Sequence, residues 1–330
     1  MTIYDVAKAA GVSASTVSRV LNNKPGISEE TRARVKEILE QSRFQPSEAA
    51  QLLATNTARV VVCFMTTITQ EYHATQMTII NRLLSEQGFS CQVIWTGYDP
   101  QQQARAISDV QIRKNVAGMI LIGDSFQNPL VARAIRENAP EVPVIMLNGE
   151  LPEPNVTGII VDEDRGIERL VELLAGKGHR KLAFVMDRET VGRRKMKKAF
   201  LRACRREKVE SSLIWHIEEH LYDRIQENLC RMMETHPELD GVIFADDLMA
   251  SAGGKAFHSM GLQVPDRIAY TGNHNVTYSV ISTPTITTLE GQVEEQCRIA
   301  IRMLLAQIDG EPAPDKAIHV AVSMVEREST

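Results

Sequence analysis

From Arg59 onward the chain alternates short apolar runs with amphipathic stretches of helix length, and this alternation restricts the possible folds more than any other feature. Nine runs predict strands: Val60–Phe64, Val93–Trp95, Met119–Ile122, Val144–Leu147, Ile159–Val161, Leu182–Val185, Leu213–Trp215, Val242–Phe244 and Ile268–Tyr270. Runs this apolar suit strands buried on both faces, as in a parallel sheet covered by crossover helices. The stripe Ile167, Leu170, Val171 and Leu174, closed by Gly176, reads as one such helix. The strands number about twice those of one ordinary doubly wound sheet, and the pattern pauses from Pro152 to Gly158, so two α/β subdomains are expected. Ligands of such folds sit beyond the carboxyl ends of the strands or in the cleft between domains.

The first 45 residues have no strand pattern and divide into three short helices. Thr2-Ile3-Tyr4-Asp5 fits a capping box that opens a helix with Val6, Ala7 and Ala10 on its apolar face, ended by Gly11. Ser13 is placed to cap a second helix, in which Val17, Val20 and Leu21 point inward. Asn22 to Gly26 form a turn-rich break. Ser28 then caps a third helix, with Glu29 and Glu30 at its positive dipole end and Val35, Ile38 and Leu39 as its buried stripe. Two helices joined by a glycine-containing turn, the second rich in small polar side chains, fit a DNA-reading helix-turn-helix. Ala14, Ser15, Thr16 and Ser18 permit close approach to a groove, and Arg19 can reach guanine O6 and N7 together.

Charge adds little to this. The net charge is −5, and residues 1 to 58 carry seven Lys or Arg against six Asp or Glu, so a DNA-binding role rests on pattern rather than on charge. The amino terminus has no signal-peptide pattern and no apolar stretch is long enough for a membrane span, which suits a cytoplasmic protein. Cys63, Cys91, Cys204, Cys230 and Cys297 are odd in number, widely spaced and without a C-x-x-C pair, so they read as reduced residues rather than a disulfide framework or zinc site.

The run Ile3-Tyr4-Asp5-Val6-Ala7-x-x-Ala10-Gly11-Val12-Ser13-x-x-Thr16-Val17-Ser18-Arg19-Val20-Leu21-Asn22 closely resembles the head of the lactose/galactose repressor (LacI/GalR) family. The resemblance continues in Pro46 to Ala54, Gly176-x-Gly178-His179-Arg180, Ala245-Asp246-Asp247, Gly261-x-x-Val264-Pro265-Asp266 and Pro284-x-x-Thr287-Thr288. It implies a homodimeric, effector-controlled transcriptional regulator of the repressor type, with no enzymatic activity and no cofactor. The implied fold is an α/β, periplasmic-binding-protein-like core of two doubly wound parallel-sheet subdomains behind an all-α head, with three crossovers joining the subdomains. The expected boundaries are a head over 1–46, a hinge helix and linker over 47–58, a first subdomain over 59–157 plus 290–318, and a second over 158–289 plus 319–330. The implied partners are near-palindromic double-stranded operator DNA and a small molecule, a sugar or sugar derivative, held between the subdomains.

The resemblance assigns roles by position. Ala14, Ser15 and Arg19 match residues that choose operator bases, with Ile3, Tyr4, Ser13, Thr16, Ser18, Asn22, Ser28, Thr31 and Gln51 completing the DNA-facing set. Leu53 matches the hinge leucine that wedges into the minor groove, where an apolar side chain unstacks a base step and the bent DNA returns further contacts. Ser47-Glu48 departs from the usual hinge, and Glu48 near phosphates would repel them. In the core, the cleft residues fall on Tyr72, His73, Asp124, Asn148, Asp162, Arg193, Met196, Asp246 and His274. Sugar-sensing members usually carry Arg, Asn and Asp where this chain has Met196, Asp246 and His274, so a neutral hexose held in the ordinary way is not expected.

Arg193-Arg194-Lys195-Met196-Lys197-Lys198 places five cations at a helix start, where the dipole disfavours them. They read either as a solvated face or as a site that, with His274, meets an anionic effector such as a sugar acid or sugar phosphate. His216-Ile217-Glu218-Glu219-His220 formally matches H-x-x-E-H, but it follows a strand directly and so argues against zinc chemistry; no metal site is expected. Dinucleotide, P-loop and serine-hydrolase motifs are absent from the sequence.

Overall fold

The computed structural model describes residues 3–21, 26–42, 60–110, 116–217, 222–314 and 317–330. The chain separates into two compact units, Met1–Val60 and Val61–Thr330.

The first unit holds α1 (Ile3–Ala10), α2 (Ala14–Leu21) and α3 (Glu29–Gln41). Gly11, at φ 63°, takes the left-handed conformation that ends α1. The Ser13 hydroxyl accepts from the Thr16 N–H at 3.2 Å, and the Ser28 hydroxyl from the Thr31 N–H at 3.3 Å, so both serines cap as their positions predict. Val6, Ala7, Ala10, Val17, Val20 and Val35 form the core of the unit. The hinge expected over 47–58, including Gln51 and Leu53, lies outside the described residues, as do Asn22, Thr2 and the 218–220 part of the H-x-x-E-H match.

The second unit carries β1 (Val60–Met65, starting at the boundary), α4 (Glu71–Glu86), β2 (Ser90–Trp95), α5 (Pro100–Val110), β3 (Val116–Ile122), α6 (Pro129–Asn138), β4 (Val144–Leu147) and β5 (Val156–Val161). Then follow α7 (Glu163–Gly176), β6 (Lys181–Met186), α8 (Val191–Arg206), β7 (Ser211–His216), α9 (Tyr222–Thr235), β8 (Gly241–Phe244), α10 (Asp247–Ser259), β9 (Ala269–Thr271) and α11 (Thr277–Ile281). β10 (Thr288–Glu290), α12 (Val293–Ile308), β11 (Ile318–Val320) and β12 (Ser323–Val325) complete it.

Two open sheets result, one in the order β11-β5-β4-β3-β1-β2 and one in the order β7-β6-β8-β9. The pairs β3–β4, β4–β5, β5–β11, β6–β7, β6–β8 and β8–β9 are all parallel. The chain passes between the sheets after β5, between β10 and α12, and after β11; β10 and β12 pair antiparallel beside the last two passages. The apolar faces of α4 and α12 cover the first sheet, with Ile80, Leu84, Cys297, Ala300 and Leu304 fully buried on it. Gly118 of β3 lets Leu304 settle there, since a Cβ at 118 would stand 2.7 Å from Leu304 Cδ1.

The structure corrects the expected subdomain boundaries. The division after residue 157 cuts through β5, which belongs wholly to the first sheet because its entire length pairs with β4 and β11. The division after residue 318 likewise cuts β11, whose three residues all pair with β5. The first passage therefore falls after Val161 and the last after Val320. All nine predicted runs fall on strands, the ninth shifted by one residue to Ala269–Thr271, whereas β10, β11 and β12 were not expected; each of these three has three residues, too few to show a period.

Candidate functional site

Two surfaces matter, one on each unit. On the head, Ser13, Ser15 and Arg19 are exposed along the start and outer face of α2, and Ala14, Thr16 and Ser18 are half-buried beside them. Ser13 Oγ lies 2.7 Å from Ser15 Oγ and 2.9 Å from Thr16 Oγ1, a hydroxyl cluster at the helix N-terminus. Tyr4 is 74 % exposed on α1. Ser28 Oγ donates to Thr31 Oγ1 at 2.8 Å, at the start of α3. The buried Val17 and Val20 fix the rotation of α2 and so decide which side chains face outward. Ile3 lies in α1.

On the core, the carboxyl ends of β1, β3, β4, β6, β8 and β9 face one cleft between the two sheets. Its main chamber has a volume of about 610 Å³ and is lined by His73, Asp124, Asn148, Asp162, Arg193, Met196 and His274 among others. Tyr72 and Asp246 do not reach that chamber; they line an adjoining one of about 190 Å³, which His274 also borders. The tyrosine is held back by its hydroxyl, which exchanges hydrogen bonds with the buried Gln296 side chain at 2.9 to 3.1 Å.

Arg193 is the electrostatic centre of the cleft. It sits in the first turn of α8, capped by Thr190, with 11 % of its side chain exposed. Nε lies 3.5 Å from Asp187 Oδ1 and Nη2 3.6 Å from Asp246 Oδ2, and Nη1 donates to the Ala245 carbonyl and approaches Met196 Sδ at 3.6 Å. Burial disfavours its charge, but Asp187, Asp246, Glu163 and Asp124 outweigh burial and hold the guanidinium firmly protonated. Asp246 shows the complement: burial pushes its carboxyl up, against the pull of Arg193. Asp246 also caps α10, accepting from the Met249 N–H at 2.8 Å.

His274 stands at φ 100° and Asn275 at φ 51°, two consecutive non-glycine residues in a region that side chains avoid. Asp247 holds this loop, accepting from the Val276 N–H at 2.8 Å and the Thr288 hydroxyl at 2.6 Å. The His274 ring stacks on Tyr72, with centroids 4.2 Å apart, and its Nε2 lies 3.1 Å from Glu163 Oε1. Burial of Glu163 favours its acid form, but the hydrogen bond and charge of His274, then Arg193, bring it below the usual carboxylate range. His73 goes the other way: burial first, then the charges of His274 and Arg193, lower it to about 3, so its ring is neutral. Its Nδ1 is buried without a hydrogen-bond partner.

Asp124 joins the two subdomains. It follows β3 of the first sheet, and its Oδ2 accepts from the Gly192 N–H at 2.8 Å, at the N-terminus of α8 over the second. Burial raises this carboxyl, against hydrogen bonds from Thr190 and Gly192 and the charge of Arg193. Two more contacts cross the cleft: Arg188 lies over the Tyr98 ring at 3.6 Å, and the Thr277 N–H and hydroxyl both donate to Glu71.

Residues 2–47 match the family model of bacterial regulatory proteins of the lacI family, and residues 171–330 match a periplasmic binding protein-like domain. The chain belongs to the lacI family. An HTH-type transcriptional regulator of Lachnoclostridium phytofermentans is 25 % identical, over 100 % of this chain and 99 % of that protein. The ribose operon repressor of Halalkalibacterium halodurans is 24 % identical over 100 % and 97 %. In fold, the chain matches a lac repressor dimer solved bound to operator and the anti-inducer ONPF, with TM-score 0.86 at 21 % identity over 100 % of this chain and 98 % of that one. The lacI-family protein is thus a transcriptional regulator with a helix-turn-helix head and a periplasmic-binding-protein-like core, not an enzyme. No helix among the described residues is long and apolar enough to cross a membrane.

In this regulator the basic run divides. Arg193 is largely but not wholly buried, Lys195 is exposed at the cleft, and Lys197 pairs with Glu189 at 3.0 Å. Arg193 brings a guanidinium to the cleft from one turn ahead of Met196. Asp162 lines the chamber with its carboxylate 2.6 Å from His319 Nδ1. Sequence reading missed Glu163, Asp187, Arg188 and Tyr98, while Lys195 belongs to the basic run it had singled out. Asp187 and Arg188 directly follow β6, so the rule that ligands meet the carboxyl ends of strands could have found them.

Proposed function

We propose that this regulator is a repressor whose operator affinity is set by a sugar-derived effector that carries an anionic group and binds in the 610 Å³ chamber. The observation behind the anionic group is which charges are already committed. Asp124, Asp162, Glu163 and Asp187 each have protein partners. Lys195 and Arg165, both on the chamber wall, have no ion pair among the described residues, and the buried Nε of Arg188, 3.8 Å from Asp187 Oδ2, makes no hydrogen bond. Arg193 keeps free donor capacity, since contacts of 3.5 and 3.6 Å are longer than good N–H···O hydrogen bonds. A sugar acid or sugar phosphate supplies the acceptors these donors lack, and charge-assisted bonds to guanidinium are the strong ones. A ligand-dependent thermal-shift screen tests this: stabilisation by sugar acids or phosphates is expected, and strong stabilisation by a neutral sugar with none by anionic sugars would overturn it.

On DNA, the exposed Ser15 and Arg19 would read base edges in the major groove, and Leu53 would act as the minor-groove wedge. The operator is near-palindromic because the regulator acts as a homodimer. Its core leaves Ile68, Val280 and Ile281 more than half exposed, on segments brought together by the Glu71–Thr277 contact, and a second copy would cover them. Light scattering on Ile281→Asp should give the monomer mass; an unchanged dimer would place the interface elsewhere. Leu53→Ala should weaken operator binding while leaving effector binding intact.

A further inference from the structure

Cys63 is the fourth residue of β1 and Cys91 the second of β2, the neighbouring strand at the edge of the six-stranded sheet. Their sulfurs lie 3.4 Å apart. Adjacent strands stand ~4.8 Å apart, inside the roughly 4.4–6.8 Å of Cα separation that a disulfide spans. Closing from 3.4 Å to a bond of about 2.05 Å needs a small rotation, which the edge-strand side chain can supply. The partners are unequal. Cys63 is fully buried, whereas Cys91 is half-buried and open to a small solute. The hydrogen bond between them favours the thiolate at Cys91, lowering it, and the thiol at Cys63, raising it. No other two sulfurs come within hydrogen-bonding distance among the described residues. Cys204 and Cys297 are buried, and burial pushes both up to about 12.

We propose that Cys91 and Cys63 are a peroxide-reactive dithiol that closes to a reversible intrachain disulfide. The Cys91 thiolate attacks one oxygen of the peroxide, an S–O bond forms as the O–O bond breaks, and the other oxygen leaves as hydroxide and takes a proton to become water. Cys63 then loses its proton and attacks the sulfenic sulfur; the S–S bond forms, the S–O bond breaks and a second water leaves. Two thiols are oxidised by two electrons and the peroxide is reduced to two waters. The bond would fasten the edge strand that leads to the cleft: Thr96, just beyond β2, already donates its N–H to the Met65 carbonyl at 2.9 Å, and Tyr98 follows beneath Arg188.

The experiment uses the full chain, reduced, desalted and exposed to stoichiometric hydrogen peroxide, then unfolded, blocked with maleimide and digested with trypsin. Cleavage after Arg59, Arg82 and Arg105 puts Cys63 alone in peptide 60–82 and Cys91 alone in peptide 83–105. The two peptides should be recovered joined, two hydrogens lighter, and separate on treatment with dithiothreitol, while Cys204 and Cys297 remain alkylated. In Cys63→Ser, dimedone should trap a sulfenic acid at Cys91; in Cys91→Ser, Cys63 should stay a thiol. Recovery of both cysteines as maleimide adducts at a peroxide dose that oxidises free glutathione would overturn the proposal. So would peptide 83–105 linked to a second copy of itself.

Discussion

Replacing Arg193 by Met keeps most of the side chain's length and apolar stem but removes the charge that Asp187 and Asp246 share. Both carboxylates are largely buried, with 10 % and 17 % of their side chains exposed. Removing one partner of a buried ion cluster costs about 3–5 kcal/mol, mostly because the remaining charge is left unpaired. The contacts here, at 3.5 and 3.6 Å, lack good hydrogen-bond geometry, so the lower end, ~3 kcal/mol at pH 8, is expected. The sign of the pH dependence follows from Asp246. Burial already raises its carboxyl and Arg193 holds it back, so without Arg193 it rises further. A group raised in the folded state contributes stability that is lost as pH climbs through the folded value, so the deficit of the variant should grow toward pH 8 and shrink toward pH 5. The two tryptophans, Trp95 and Trp215, both lie in the core, so their fluorescence in a urea titration reports the core alone. With a slope of about 3 kcal/mol/M, the midpoint should fall by roughly 1 M at pH 8. An unchanged midpoint at pH 8, or an equal loss at pH 5 and pH 8, would refute the reasoning.

Asp247 offers a second pH test: burial raises its carboxyl from the usual carboxylate range to about 7, so the folded core retains a proton that the unfolded chain releases, and stability drains away between pH 4 and 7 by up to ~4 kcal/mol. Asp247→Asn should flatten that part of the parent's urea-midpoint profile, and a parallel profile would count against it. Gly192→Ala would put a Cβ 2.6 Å from Asp124 Oδ2 and break the cross-cleft hydrogen bond, for a loss of roughly 1.5–3 kcal/mol in the same urea assay. Ser13→Ala should destabilise α2 by about 1 kcal/mol, seen as faster hydrogen exchange of its amides, because the Thr16 N–H loses its cap. Arg19→Ala should leave that exchange unchanged while weakening operator binding in a fluorescence-anisotropy titration; unchanged affinity would remove Arg19 from the DNA-reading set.

Local order was legible in the sequence wherever a residue's role is settled by its immediate neighbours. Ser13 and Ser28 had to cap, because an N-cap oxygen needs only an N–H three residues on, and both do. The apolar runs read as strands because such runs suit a parallel sheet under helices, and the central ones are buried there, whereas the edge strands β2 and β7 are only half-buried. The same pattern, with the motif of the head, was enough to place the chain in its family. Long-range pairing was not legible. Whether Val156–Val161 opens the second subdomain or closes the first depends on hydrogen bonds to β4 and to β11, the latter over 150 residues away, and no local signal carries that choice. The cleft shows the same division. Sequence position alone brought Arg193, Asp246 and His274 into the candidate set. Only the folded chain decided that Arg193 meets Asp187 and Asp246, that His274 Nε2 lies against Glu163, and that the Nε of Arg188 makes no hydrogen bond. Charges act through space at a few ångströms, so their partners are set by how the two sheets face each other, which no stretch of sequence encodes by itself.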